Sequence, residues 1–194
     1  MPRPRAFDET LVLDRTLKLF WHQGYEATSM QQLVDALGIN RASLYDTFGD
    51  KYQLYRRALD YYRQQNHAAI NSMLSQARPA PDLIRELLET AVTQSVTDCQ
   101  SKGCFFVNSS VELAPHDPEI AQLVLDNQRT LEAQLETVIR RGQTEGNISP
   151  VHNATDLARF IYNTLTGLKT TGKSNRDETA LRSVVTVTMA SLTA

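Results

Sequence analysis

The sequence predicts an all-α protein of about nine helices, in which a three-helix helix-turn-helix head is joined by a long helix to a larger helical body. Apolar residues recur at spacings of three and four along almost the whole chain, which is the periodicity of helices with one buried face. Glycines, prolines and capping residues interrupt this pattern at regular intervals, where helices are expected to end and begin. We therefore expect no β-sheet.

The composition limits the class of protein. The 194 residues, 41% of them hydrophobic, suffice for one compact unit or for a small head that shares a core with a larger body. No stretch approaches the roughly 20 apolar residues that cross a bilayer, and no apolar run follows a basic start. We expect a soluble, cytoplasmic protein with no membrane partner. Two cysteines are too few for a disulfide framework and are predicted to be free thiols.

Charge is distributed unevenly along the chain, whose net charge is -2. Residues 1–63 carry nine Lys or Arg against eight Asp or Glu, a balance of +1, whereas residues 64–194 carry eleven against fourteen, a balance of -3. A head that binds nucleic acid would therefore use a few well-placed cations and helix N-termini rather than a broad basic surface.

The head is predicted to contain three helices, the first over residues 8–23. A capping box formed by Ser29 and Gln32 opens the second helix, and Asn40 can cap the third. Glycines end the three helices in turn: Gly24, Gly38 and Gly49.

A long helix capped by Asp50 leads to the strongest break in the chain, at residues 78–82, where two prolines occur and Asp82 can cap the next helix. The helices predicted beyond it cover residues 83–100, 104–113, 118–145, 154–171 and 178–192. Residues 183–188 are rich in β-branched side chains and could form a strand. We predict a helix there, because the apolar residues keep the helical spacing and a lone strand would have no partner.

Two short helices joined by a glycine turn and braced by a third are typical of a helix-turn-helix, whose second helix lies in the major groove of DNA. Spacing alone predicts a structural helical hairpin equally well. The residue types between Thr28 and Lys51 are more specific, with Leu-Gly-Ile at the turn, Leu44-Tyr45 in the third helix, and Phe48 three residues before Lys51. This segment closely resembles the DNA-binding signature of the tetracycline-repressor (TetR) family, and the likeness is strongest over about residues 7–60.

The resemblance implies a DNA-binding domain over residues 1–50, with the motif at about 29–48, and a ligand-binding and dimerisation domain over residues 51–194. It implies base-edge contacts from Arg41, Ala42 and Ser43, which agrees with arginine pairing to guanine and a methyl group meeting thymine. It assigns phosphate contacts to a second set of residues: Thr28, Tyr45, Thr47 and Lys51. Ser29 could cap the second helix or touch phosphate, and Arg3 and Arg5 resemble arms that enter the minor groove.

The sequence departs from the family pattern at Thr47, where histidine or tyrosine is frequent. Asp46 and Asp50 also place negative charge near the expected DNA surface. We interpret these departures as tuning of DNA binding rather than its loss.

For the body, the resemblance implies that helices 154–171 and 178–192 pair with their copies in a second subunit, and Gly167 would permit a close helix crossing. The same helices could instead form an internal core face. Two such heads would read a palindromic operator. The family's ligand cavity suggests the following wall residues, which could equally be core: Tyr62, Cys104, Phe105, Phe106, Asn108, Gln128 and Tyr162.

Residues 102–118 resemble a subgroup of the family in which Gly-Cys opens the sixth helix. Some relatives with a cysteine at this position respond to electrophiles or oxidants. Cys104 would lie at a helix N-terminus next to Lys102, and both features stabilise a thiolate. The other interpretation is a packed, inert cysteine. The effector is therefore either a small molecule or an electrophile.

Other functions have weaker support. A metal site formed by Cys99, Cys104 and His116 would lack the usual ligand number and spacing. The four histidines are scattered and no nucleophile or phosphate-loop motif occurs, so we expect no enzyme, metal or cofactor. The remaining alternative is a helical interaction protein without DNA binding, which salt-dependent retention on DNA would distinguish.

Overall fold

A computed structural model describes residues 7–193 of the chain. Within that range the secondary structure is helical without any strand, which confirms the all-α prediction. The helices found there are α1 Glu9–Gln23, α2 Met30–Leu37, α3 Arg41–Phe48, α4 Lys51–Leu74, α5 Ala80–Thr97, α6 Phe105–Glu112, α7 Pro118–Thr144, α8 Ala154–Ser174 and α9 Glu178–Ala190. No helix among these described residues is long and apolar enough to cross a membrane.

The chain divides into two compact units within α4, Met1–Gln65 and Asn66–Ala194. The sequence suggested a division after residue 50. The first unit extends further because the first half of α4 contributes buried side chains to it, Leu54 and Tyr55 among them. The ring centroid of Tyr55 lies 5.0 Å from that of Phe20 and 5.1 Å from that of Tyr25.

The helices of the head begin at the caps that the sequence predicts. The capping box of α2 is complete, since the Ser29 hydroxyl accepts from the Gln32 backbone N–H at 3.1 Å and the Gln32 side chain accepts from the Ser29 N–H at 2.7 Å. The Asn40 side chain accepts from the N–H of Ser43 at 2.8 Å. Gly38 ends α2 with φ +66°, a left-handed conformation that favours glycine. These caps fix the turn between α2 and α3.

Helix α5 begins earlier than predicted. We expected its start at Leu83 with Asp82 as the cap, but it begins at Ala80, with Pro79 in the N-cap position and Pro81 in the first turn. A first turn tolerates proline because its backbone N–H groups have no acceptor within the helix. The proline-rich break is therefore itself the beginning of a helix.

Helix α5 also ends earlier than predicted, at Thr97 rather than near Gln100. The carboxylate of Asp98 accepts hydrogen bonds from the backbone N–H groups of Gln100 at 3.2 Å, Lys102 at 2.5 Å and Gly103 at 3.3 Å. This one side chain thus gathers the connection between α5 and α6 into a turn.

The core of the second unit joins α5, α7, α8 and α9 with the second half of α4. Helix α8 approaches α5 so closely at Gly172 that a Cβ atom there would collide with the side chain of Ser95. Helix α9 confirms the helical interpretation of residues 183–188, and it buries Leu181 and Val185 in this core.

Candidate nucleic-acid interface and effector site

Helix α3 presents one side to solvent and anchors the other in the head. Leu44 and Phe48 are only 0% and 2% exposed, and they fix the helix against its neighbours. The opposite side carries four predicted contact residues, of which Ser43 is partly buried and the others exposed: Arg41, Ala42, Ser43 and Tyr45. The structure therefore brings these four side chains together on the first turns of an accessible helix.

Arg41 is the cation best placed on this surface. Its guanidinium carbon lies 5.8 Å from the centroid of the Tyr45 ring, one turn further along α3. A cation over an aromatic face gains a modest electrostatic attraction at an exposed site. The contact aligns the planar donor group of Arg41 along the exposed side of α3.

Thr28 cannot contact phosphate as the sequence suggested. The residue is 0% exposed, and its hydroxyl donates a 2.6 Å hydrogen bond to the backbone oxygen of Gly24. Its role is to hold the turn between α1 and α2. Ser29 is exposed at the N-terminus of α2, where its hydroxyl accepts the cap hydrogen bond, so the capping role is present and the hydroxyl remains accessible.

Lys51 is the first residue of α4 and is partly buried. Its Nζ atom lies 4.2 Å from the centroid of the Tyr25 ring, and that ring packs in turn against Phe20 and Tyr55. The cation–π contact holds the ammonium group at the start of the helix. Sequence reasoning missed Tyr25 as a supporting residue, and its only signal was its place within residues 7–60, where the likeness to the family is strongest.

Negative charge near α3 is partly engaged within the fold. The Asp50 carboxylate accepts from the Gln53 backbone N–H at 2.8 Å and so caps α4, whereas Asp46 is exposed. Thr47 is partly buried on α3. Arg3 and Arg5, the predicted minor-groove arms, lie outside the described residues.

The residues predicted to form a cavity wall do not share one environment. Phe105 and Phe106 are 1% and 3% exposed and belong to the core. Tyr62 lies in the first unit, where its ring packs edge-on against Trp21 at 4.9 Å. The Asn108 amide donates to the backbone oxygen of Lys102 at 2.9 Å. These contacts indicate packing and loop-holding roles for the four residues.

The other three predicted wall residues lie near one another. Burial raises the pKa of Tyr162, a hydrogen bond with Thr166 opposes this rise, and the charges of Cys104 and Glu132 add to it. The side chain of Gln128 donates to Glu132 at 2.8 Å. Cys104 thus interacts with Tyr162 directly, whereas Gln128 is connected to Tyr162 through Glu132, and all four side chains are partly buried where α6, α7 and α8 meet.

Both cysteines are free thiols, Cys99 exposed and Cys104 partly buried. Cys104 occupies the N-cap position of α6 without a side-chain cap hydrogen bond. The ammonium group of Lys102 lies 3.8 Å from the Asp98 carboxylate, so its charge is shared with that group. Among the described residues, no three His, Cys, Asp or Glu side chains are grouped to hold a metal ion.

Comparison with known proteins covers both units. The family profile described as "Bacterial regulatory proteins, tetR family" matches residues 12–58. A second profile, described as "Tetracyclin repressor-like, C-terminal domain", matches residues 80–188, and this match alone covers more than half of the chain. The chain belongs to the tetR family. The first profile contains α2, α3 and Lys51, and the second begins at the residue where α5 begins.

Curated relatives and solved structures agree with this assignment. The HTH-type transcriptional regulator YezE of Bacillus subtilis is 32% identical over 99% of this chain and 100% of its own length. The HTH-type transcriptional repressor ComR of Escherichia coli is 28% identical, over 96% and 90%. A cysteine-substituted CifR, a TetR family regulator complexed with double-strand operator DNA, superposes with a TM-score of 0.85 at 29% identity, covering 97% of this chain and 98% of CifR.

This tetR-family chain is therefore a DNA-binding transcriptional regulator and not an enzyme. The prediction of a helical interaction protein without DNA binding is replaced by that assignment.

Proposed function

We propose that the chain is a homodimeric repressor that binds a palindromic operator and is released when a small ligand binds the body or a reagent modifies its thiol. The observation that carries the proposal is the accessible first turn of α3, which buried Leu44 and Phe48 hold in place. ComR, a relative over most of this chain, is itself a repressor. We assign DNA binding to residues 1–50 with the adjoining Lys51, and signal reception to the rest of residues 51–194.

Recognition of bases rests on Arg41, Ala42 and Ser43. The guanidinium of Arg41 can donate two hydrogen bonds to a guanine edge, the Ala42 methyl can meet a thymine methyl, and Ser43 can pair with either kind of group. The remaining polar side chains suit phosphate oxygens and position the head on the duplex: Ser29, Tyr45, Thr47 and Lys51. Arg3 and Arg5 would add minor-groove contacts.

Dimerisation is assigned to α8 and α9. Phe160 on α8 and Val184 on α9 are each 44% exposed, and Val187 is 71% exposed. A Cβ atom at Gly167 would meet nothing within 4 Å, and Gly167 borders a hollow of about 290 Å³ between the two helices. An apolar surface with a small residue at its centre suits close packing against the same helices of a second copy. The two-fold axis would then present two heads to two half-sites.

Two routes for the signal remain in the proposal. A thiol reagent would act at Cys104, which lies at the start of α6 beside the Tyr162–Glu132 group. A reversible ligand would act without the thiol. We also place the chain in the subgroup whose sixth helix opens with Gly-Cys, and in the bacterial cytoplasm, where an operator is accessible.

The test is selection of bound genomic DNA fragments by the purified full chain, with Arg41→Ala as the matched control. We expect the wild type to enrich a palindrome and the variant to enrich none. The recovered palindrome, placed upstream of a reporter gene, should give lower reporter output when the chain is expressed. Absence of any enriched sequence, or higher reporter output, would contradict the proposed repressor function.

A further inference from the structure

A cleft in the second unit lies among the second half of α4, α5 and α8. Its walls are the apolar side chains of Ile70, Met73, Leu87, Ala91 and Leu165. The cleft encloses about 80 Å³ and opens to solvent on one side. The residues that the sequence suggested for a ligand cavity do not line it.

The polar groups around this apolar cleft have no partners within the part of the chain that the structure describes. Lys169 of α8 is the one charged residue that lines the cleft, and it is partly buried. No carboxylate among the described residues pairs with the ammonium group of Lys169. The side-chain amides of Asn66 and Gln94 also border the cleft, and neither takes part in a hydrogen bond among the described residues. The site thus offers one positive charge and two amides above apolar walls.

We propose that this cleft binds a short-chain monocarboxylate. The carboxylate pairs with Lys169 and accepts from the Asn66 or Gln94 amide, while the alkyl chain lies against Leu87 and Leu165. One cation matches one negative charge, and hydrogen bonds between charged groups are stronger than neutral ones. The volume is below the roughly 150 Å³ of a cavity that holds benzene, which limits the enclosed part to a few carbons.

Occupation of the cleft acts on α4, the helix that runs from the cleft residues Ile70 and Met73 back to Lys51 in the head. The inference rests on the proposed function in one respect, namely that the carboxylate is the ligand that releases the protein from DNA. Binding of the carboxylate itself does not depend on operator recognition, and the two are measured separately.

The experiment is isothermal titration of the full chain with butyrate and hexanoate, compared with butanol and hexanol. We expect the carboxylates to bind at least about tenfold more tightly than the alcohols of equal length, since the charge-assisted contact is lost in the alcohols. Lys169→Met should abolish that preference. Lys173→Met is the control, because Lys173 lies one turn further along α8, bonds Asn108 and does not line the cleft, so the preference should persist.

A second variant tests the location independently. Ala69 borders the cleft on an exposed position of α4, so Ala69→Leu should fill it without entering the core, and both kinds of ligand should lose binding. Equal affinity for carboxylates and alcohols, no heat with either, or an unchanged preference in Lys169→Met would overturn the proposal. Unchanged carboxylate binding in Ala69→Leu would overturn it as well.

Operator affinity without ligand, measured by fluorescence anisotropy, separates this inference from the proposed function. Carboxylate binding that requires Lys169 supports the inference even if no operator is found. If an operator is bound but the carboxylates are not, the inference fails and the repressor function stands.

Discussion

At the residue scale, the TetR-like segment between Thr28 and Lys51 identifies α3 as the helix that reads DNA. The role of each side chain in that segment, however, follows only from the fold. Arg41 and Tyr45 are exposed as the sequence predicts, because Leu44 and Phe48 fix the orientation of α3. Thr28 was wrongly predicted to contact phosphate, since a hydroxyl near a helix N-terminus suits an anion as well as a backbone oxygen. Its burial could not be inferred from spacing.

Replacement of Thr28 by valine should destabilise the head. The change keeps the shape of the side chain but leaves the Gly24 oxygen without the hydroxyl donor, and we expect the free energy of unfolding to fall by about 1–2 kcal/mol. Urea denaturation measures this, with Thr28→Ser as the control that keeps the hydroxyl. Unchanged stability together with weakened DNA binding would restore the phosphate-contact interpretation.

Replacement of Lys51 by methionine should weaken binding to every DNA sequence alike. Each phosphate contact releases about one counterion from the DNA when the protein binds, and the variant makes one such contact fewer per head. The slope of log affinity against log salt concentration should therefore become shallower by about 1 for each head. Anisotropy titrations at several salt concentrations measure that slope. Lys18→Met is the control, because Lys18 pairs with Asp14 on α1. Equal slopes in wild type and Lys51→Met would remove Lys51 from the interface.

At the element scale, caps and apolar periodicity predict the positions of most helices. They do not predict a turn that is held by one side chain bonded to several backbone groups. The beginnings of α2 and α3 follow from their predicted caps, and α8 and α9 begin at the predicted residues 154 and 178, where Asn153 and Asp177 cap them. The start of α5 was missed because prolines in a first turn look like a break. Its end was missed because the Asp98 carboxylate accepts hydrogen bonds from backbone N–H groups two, four and five residues further on, which apolar periodicity does not indicate.

Replacement of Asp98 by alanine should loosen the connection between α5 and α6. Several backbone N–H groups lose their acceptor, and we expect a loss of about 1–3 kcal/mol in the free energy of unfolding. Hydrogen exchange at Lys102 and Gly103 should accelerate, because these N–H groups bond the carboxylate. Asp82→Ala, at an exposed acidic position in the first turn of α5, is the control. Unchanged exchange at both amides would show that the carboxylate does not organise this turn.

At the scale of the whole molecule, the sequence indicates a head and a body, but it does not show where one compact unit ends. The division falls within α4 because Tyr55 packs among head aromatics, a contact that periodicity cannot assign. The sequence also does not distinguish residues that line a ligand cavity from residues of a closed core, since aromatic residues such as Phe105 suit both equally well. The two helices that we propose for dimerisation do occur where the sequence predicts helices, at Ala154–Ser174 and Glu178–Ala190.

Replacement of Val187 by glutamate should convert the dimer to monomers at micromolar concentration. The side chain is 71% exposed on the isolated chain, so the change leaves the core intact while placing an unpaired charge in the proposed interface. Light scattering measures the mass. Val151→Glu is the matched control, because Val151 is 73% exposed and precedes α8. A monomeric wild type, or a dimeric Val187→Glu, would contradict the assignment of α8 and α9.

The most direct test of the central claim, that α3 reads an operator through Arg41, is the affinity ratio between the selected palindrome and a scrambled duplex. Anisotropy titration at fixed salt gives that ratio for wild type and for Arg41→Ala. We predict that the variant loses about 1–3 kcal/mol per half-site on the palindrome and keeps most of its affinity for the scrambled duplex, with an unchanged melting midpoint. An Arg41→Ala variant that still prefers the palindrome as strongly as wild type would show that α3 is not the reading helix.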